Sequence, residues 1–438
     1  MGDKSMKSPG ESIQGAMGDW AGIKRAYRLF ENEKLQEEEL LKIHQQKTQK
    51  RLQAGKEELY LAIQDTTKLN YTHHPKKEGL CKLNQNAGYV TALKGCLLHT
   101  TMITNAHGLP IGIADQKIYK HKDNKEDNKQ VPITKKESYR WIEALHETKR
   151  IIENKNVISV CDRECDIFEF FVEAIKIKAN VLVRSTFNRI LLQNDNPQHK
   201  NLWTYLKSVP IKSTKKINIT EQKGKNKRTA NLSIRYEKVI IMPPKRTKNT
   251  KIEDLPSIEL YAIYIIEQNP NPNDKPIEWM LITNIKIDNN QKAMQAIDWY
   301  QKRWQIENFH RILKSGCKIE DSRLATYEKL KKIITIKSII AYRLLFLTHI
   351  NRNNPCASCD TVLSINEWQA LVFRVHKTLK MPQNRVSEII IMLAKLGGFL
   401  NRKNDGFPGM THIWKGWHKL EEVLAVWEVV KNSSDICG

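Results

Sequence analysis

Three carboxylates stand where phosphoryl chemistry could use them. Asp65 follows the short apolar run 59–63, and Asp162 follows the apolar start of NVISVCDRECDIFEFFVEAIK (156–176). Glu307 lies in YQKRWQIENFHRILK (300–314). Carboxylates at strand ends converge at one edge of a sheet, and three hard oxygen donors suit Mg²⁺ or Mn²⁺ rather than zinc. Two such ions roughly 3.5–4 Å apart can flank a phosphodiester, one activating the attacking hydroxyl or water, the other stabilising the leaving oxygen. The protein then supplies position and charge more than covalent chemistry. Each aspartate alone also fits an ordinary role. An Asp before Thr-Thr is a common turn residue, and Asp-Arg-Glu after a strand is a common helix start. Asp166, one turn beyond Asp162, reads as a helix-start acid. The joint pattern points to a site.

Tyr300, Arg303, Glu307 and Lys314 are spaced by three, four and seven residues. On one α-helix they share an arc of roughly 60°. Ile306, Phe309 and Leu313 fall on the far side. The spacing predicts a single helix, about 21 Å over those residues, with one acid among cations. A surface helix has the same outline.

The elements that must position these groups follow from periodicity. Residues 14–60 and 137–154 read as helices, and 59–63 as a buried strand with Asp65 at its end. ALKGCLLHTTMITNAHGLPIGIADQKIY reads as a hairpin with its turn at Asn105–Gly108. Residues 156–176 read strand, turn, helix, and VLVRS (181–185) and EWMLITN (278–284) as further strands. Between about 190 and 278 the chain is rich in Lys, Asn, Thr and Pro, with short alternating runs that predict a β-rich block. Beyond about 330 it is mostly helical, with a Gly-rich break and then a Trp-rich helix holding Trp414 and Trp417. Those C-terminal helices could serve dimerisation or packing within the chain.

The 438 residues suffice for two or three domains. Lys and Arg number 72 against 48 acids, giving a net charge of +24 that suits a polyanion, nucleic acid first. The excess runs along the whole chain. No stretch reaches about 18 uninterrupted apolar residues, so no membrane partner is expected. The start MGDKSMKSPGES lacks an apolar signal core. Eight cysteines do not make a disulfide scaffold, which fits a reducing cytoplasm. Cys356 and Cys359 form one CxxC without a second pair at zinc-site spacing, so an ordinary loop-to-helix turn is expected.

IQDTT (63–67), VCDRECDI (160–167), the Tyr-x₂-Arg-x₃-Glu-x₆-Lys signature at Tyr300, Arg303, Glu307 and Lys314, and LGGF (396–399) with the Trp-rich segment resemble the DDE transposases of bacterial insertion sequences. The similarity is to the insertion-sequence-four family that includes the transposon-five enzyme, and runs from about residue 10 to the end. It implies an α/β fold: an RNase H-like core of mixed sheet flanked by helices, with a β-rich insertion and a helical C-terminal region. The implied organisation is a helical DNA-binding region at 1–58, core at 59–189, insertion at 190–277, core with the Glu helix at 278–348, and a helical, dimerising region at 349–438. Asp65, Asp162 and Glu307 would hold two Mg²⁺ (or Mn²⁺) ions per active site. The implied reaction is a nick at the transposon end, a hairpin intermediate, resolution by water, and strand transfer into target DNA.

The resemblance gives Tyr300, Arg303 and Lys314 the terminal phosphates, and Trp279 a base flipped out of the duplex end. Arg184, His310, Arg311 and Trp304 are further DNA-contact candidates. The partners implied are double-stranded DNA, as inverted-repeat ends and target, and a second copy in a synaptic complex, in a bacterial cytoplasm at the nucleoid. Members of the family begin with a longer N-terminal helical domain, and the match here starts in its second part, at ESIQGAMGDWAGIKRAYRLFEN (11–32). That raises the alternative of a truncated, inhibitory copy; a separate alternative is a stand-alone metal-dependent nuclease with the same core and no strand transfer.

Overall fold

The computed structural model describes residues 10, 13–17, 19–84, 93–121, 131–153, 155–192, 200–219, 228–244, 255–270, 276–378 and 385–434. The segment MGDKSMKSP lies outside them. Helices α1 (Ile13–Met17), α2 (Trp20–Glu31) and α3 (Glu37–Ala54) come first. Strands β1 (Tyr60–Asn70), β2 (Cys81–Lys82), β3 (Lys94–Asn105) and β4 (Pro110–Tyr119) follow, then α4 (Arg140–Ile152), β5 (Val157–Cys161), α5 (Phe168–Lys176) and β6 (Asn180–Arg184). Next come α6 (Leu202–Ser208), β7 (Ser213–Ile219), β8 (Arg228–Ile241), β9 (Ile258–Gln268) and β10 (Glu278–Thr283). The remainder is helical: α7 (Asn290–Gln301), α8 (Trp304–Arg311), α9 (Tyr327–Asn353), α10 (Ile365–His376), α11 (Val386–Leu396) and α12 (Met410–Ser434).

Two compact units share the chain. The first comprises Met1–Gly55, Thr66–His121 and Gln305–Gly438, the second Lys56–Asp65 and Lys122–Trp304. In the second, the strand order is β1-β5-β6-β10-β9-β8-β7. The pairs β1–β5 and β5–β6 are parallel, and the pairs from β6–β10 to β7–β8 are antiparallel. Strands β5 and β6 are short unbroken apolar runs because helices cover both faces. On one face α4, α5 and α6 pack Trp141, Phe168, Phe171 and Leu206 against Val181, Val183 and Met280. Helix α7 packs against β5.

In the first unit, β3 and β4 form the expected hairpin. The Asn105 side chain accepts from the amides of His107 (3.1 Å) and Leu109 (2.9 Å), which fixes the turn. The outer edge of β4 is sealed by helices. Gln45 Nε2 donates to Ala114 O (2.6 Å), Arg51 Nε to Ile111 O (2.7 Å), and Ile113 N–H donates to His44 Nε2 (3.0 Å). An edge strand so capped cannot pair with another chain. Helix α9 has the length and composition of a membrane span, but 72% of its apolar window is buried in the unit, as befits a core helix. Cys356 is exposed and Cys359 buried in a 3₁₀ turn.

Two local expectations are corrected. Strand β1 does not stop at Ile63 but runs on to Asn70, so Asp65 sits in mid-strand. The alternation of TTKLN continues the extended backbone where the wholly buried run ends. The stretch 300–314 is not one helix. The amides of Lys302 and Arg303 donate to Trp299 and Tyr300 carbonyls at 3.0 Å, tightening the end of α7 into a turn before α8 begins. Residues 312–316 then widen into a π-helical turn closed by Cys317 N–H to Ile312 O (2.8 Å). Tyr300, Arg303, Glu307 and Lys314 therefore occupy four different local structures and share no helical arc.

Candidate active site

The two aspartates meet through register. Strand β1 pairs Ile63 with Val160 of β5, and β5 pairs Val160 with Leu182 of β6. Two residues further along each parallel strand stand Asp65, Asp162 and Arg184. Continuing those registers past the last paired residues would set the three side by side, Asp162 and Arg184 where β5 and β6 end and Asp65 within β1, with neighbouring strands about 4.8 Å apart. Asp65 is the first half-buried residue after five buried ones on β1. Asp162 caps a 3₁₀ turn, its carboxylate accepting from Glu164 N–H at 2.9 Å.

Beside this row lies an aromatic and guanidinium cluster. Arg303 Nη1 is 3.8 Å from Asp65 Oδ2, with both side chains mostly buried. The Arg303 guanidinium lies 5.9 Å from the Tyr300 ring centroid, and the Arg184 guanidinium is also near the phenol. Burial pushes the Tyr300 phenol up, and the two guanidiniums hold it down. Its ring meets Trp279 edge-on at 5.3 Å. Arg184 also donates to Glu278 O (3.1 Å). The Glu278 carboxyl is held below the usual range, first by the Tyr264 hydroxyl (2.7 Å) and then by Lys207 (3.2 Å). Tyr300 is only 5% exposed, so its oxygen faces the two arginines rather than open solvent.

Asp166 is not a helix-start acid. Helix α5 is capped at Ile167 without a side-chain bond. The Asp166 carboxylate, 1% exposed, instead ties down the loop after β6. It accepts from Ser185 Oγ (2.9 Å), Thr186 N–H (2.7 Å), Phe187 N–H (2.9 Å) and Arg189 Nη2 (2.6 Å). Its partner Arg189 lies 23 residues away, a pairing no local pattern reveals.

The remaining candidates sit elsewhere. Trp304, at the start of α8, is 53% exposed. In the first unit, Glu307 lies in the first turn of α8, where a carboxylate is favoured by the helix dipole. Lys314 lies on the π-turn, 4.0 Å from the Glu320 carboxylate, which also accepts from Asn70 N–H. Arg311 is exposed. His310 is buried against Phe309, a core position rather than a surface one. Trp417 is 1% exposed beneath Arg343, so it packs inside the unit rather than offering itself to a partner.

Among the described residues, no three His, Cys, Asp or Glu side chains form a metal-binding group. The structure puts Asp65 on β1 two residues past its last pairing with β5, and Asp162 just past the end of β5, while Glu307 belongs to the other unit. A carboxylate pair, acceptor-only and flanked by hydrogen-bond donors, has the donor chemistry of a hard divalent ion.

Residues 45–344 match the transposase DDE domain model, and residues 339–433 match the Tn5 transposase dimerisation domain. The first match carries with it the RNase H-like fold, consistent with the mixed sheet described above. Among solved structures, a piggyBac transposase in a synaptic complex with hairpin DNA aligns at 10% identity and a TM-score of 0.33. The alignment covers 68% of this chain, which spans about half (48%) of that protein.

Proposed function

The chain belongs to the transposase DDE domain family, and from that premise we propose that it is a cut-and-paste enzyme of the bacterial insertion-sequence-four type. It cleaves transposon ends through a hairpin and joins the 3′ ends to target DNA. The observation that carries the reading is that the paired registers of β1, β5 and β6 run up to Asp65, Asp162 and Arg184, with Arg303 3.8 Å from Asp65. Asp65, Asp162 and Glu307 would hold the metal, two Mg²⁺ or Mn²⁺ ions per site. Support for Glu307 is its place in the Tyr-Arg-Glu-Lys signature. The chemistry such a metal centre would supply is activation of the attacking oxygen and stabilisation of the leaving one.

The chain's own residues do the rest. Arg303 and Arg184 take the non-bridging oxygens of the scissile region as charge-assisted donors. Tyr300, buried between them, fixes their angle. Lys314 and Arg311 add positive charge for the strand. Trp279 stacks on an extruded base, which offsets an unstacking cost of a few kcal/mol. The dimer forms through the region matching the Tn5 dimerisation domain.

The test is a joining assay. DNA bearing the element's own ends, with free 3′ hydroxyls, is incubated with target plasmid and Mg²⁺. Covalent insertion of both ends supports a transposase. Cleavage without joining means a nuclease, and binding without cleavage means an inhibitor.

A further inference from the structure

The loop after β6 holds a group that the chemistry above does not use. Phe187 is 58% exposed, yet its backbone amide is fixed by the buried Asp166 carboxylate at 2.9 Å. Ser185, Thr186 and Arg189 are fixed by the same carboxylate, so residues 185–189 form a preorganised turn rather than a loose link. Arg189 places its guanidinium 5.4 Å from the Phe187 ring centroid and also lies 5.9 Å from the Phe168 and Phe171 rings. One side of the exposed ring is thus backed by a cation rooted in the core.

The position of the loop gives this meaning. It leaves β6 immediately after Arg184, one residue past Val183, which pairs with Cys161 next to Asp162. Strand β10 runs antiparallel to β6, pairing Leu281 with Arg184, and Ser185 N–H donates to Met280 O (2.7 Å). Continuing that register sets Trp279 beside Thr186. Trp279 is half-buried and engaged by Tyr300. Phe187, one residue beyond Thr186, presents an open aromatic ring at the same edge.

We propose that Phe187 is a second base-stacking residue, receiving an unpaired nucleobase of the strand that passes Arg184. The proposal rests on the DNA-transposase reading. Every base has a π face, so the contact is indifferent to sequence. The Asp166–Arg189 pair is its positioning support.

The probe is a mixed-sequence duplex with a single-stranded overhang carrying 2-aminopurine, titrated with the full chain in Ca²⁺. Phe187→Ala and Phe187→Leu weaken binding roughly 5- to 100-fold, the range for one lost stacked base. They also abolish quenching of the 2-aminopurine, whereas Phe187→Trp retains both. The slope of affinity with salt stays at the wild-type value, since no phosphate contact is lost. The loop's hydrogen bonds use the backbone at 187, so thermal melting is unchanged in all three. Phe187→Ala binding within twofold of wild type with quenching intact overturns the proposal. A changed salt slope does so too, by showing a phosphate contact instead. Wild-type protein that fails to bind this DNA overturns the transposase reading along with it.

Discussion

Tyr300 illustrates how a signature residue acquires its task from its surroundings. Spacing alone allowed its hydroxyl to bind phosphate or to pack. Its burial beside Arg184 and Arg303 favours the packing role, and aligning the two guanidiniums is the task proposed for it. Arg303 also lies beside Asp65, where it would compete with a metal ion for the carboxylate. Replacing Arg303 by Met should raise the affinity of the DNA-free protein for Mn²⁺, measured by calorimetry, by up to about fivefold, the worth of a partly screened ion pair. Asp166 was legible only as an acid near a helix. Its role depends on Arg189 and three loop groups that come near it only when β6 is folded. Asp166→Ala leaves Arg189 buried and unpaired, and should lower unfolding stability by about 3–5 kcal/mol in denaturant titrations.

Elements with strong patterns were legible: the hairpin, β5, β6, β10 and the helices after 330 appear where periodicity puts them. The stretch 300–314 was not. Its apolar spacing suits a continuous helix, and no Gly or Pro marks the turn at 302–303 or the π-turn at 312–316. Both are backbone choices set by packing. Tight crossings are equally silent in sequence. A methyl on Gly416 of α12 would overlap the Leu393 carbonyl of α11, so Gly416→Ala should cost about 1–3 kcal/mol and lower the melting temperature. The seal of α3 on β4 predicts a pH dependence. His44 is held at about 3, by burial first and by Arg51 and Lys47 next, whereas unfolded it titrates near 6.5. As pH falls below 6.5 the unfolded chain takes the proton first. Its contribution is therefore complete above pH 6.5 and declines toward pH 3. Unfolding titrations at pH 7.5 and pH 5 should differ by about 2 kcal/mol from this group, and His44→Gln should remove that part.

At the scale of the molecule, the chain passes between its two units after Gly55, Asp65, His121 and Trp304. The sequence picks out the three acids through apolar runs and a signature that are local, although β1 runs on past Asp65. It does not say that Asp65 and Glu307 lie at such crossing points, since that depends on contacts between distant segments. The net charge of +24 acts over the whole surface. DNA affinity should fall steeply with salt, about 0.9 in the logarithmic slope for each phosphate neutralised. A flat response in a filter-binding titration would remove nucleic acid as the partner. The central claim is that Asp65, Asp162 and Glu307 carry the metal-dependent step. The direct measurement is the cleavage rate of labelled DNA bearing the element's ends, for wild type, Asp65→Asn, Asp162→Asn and Glu307→Gln, at protein concentrations matched for binding. Each variant should bind the DNA and cleave it at least about a thousandfold more slowly in Mg²⁺. Wild-type-like cleavage by any one of the three would contradict the account.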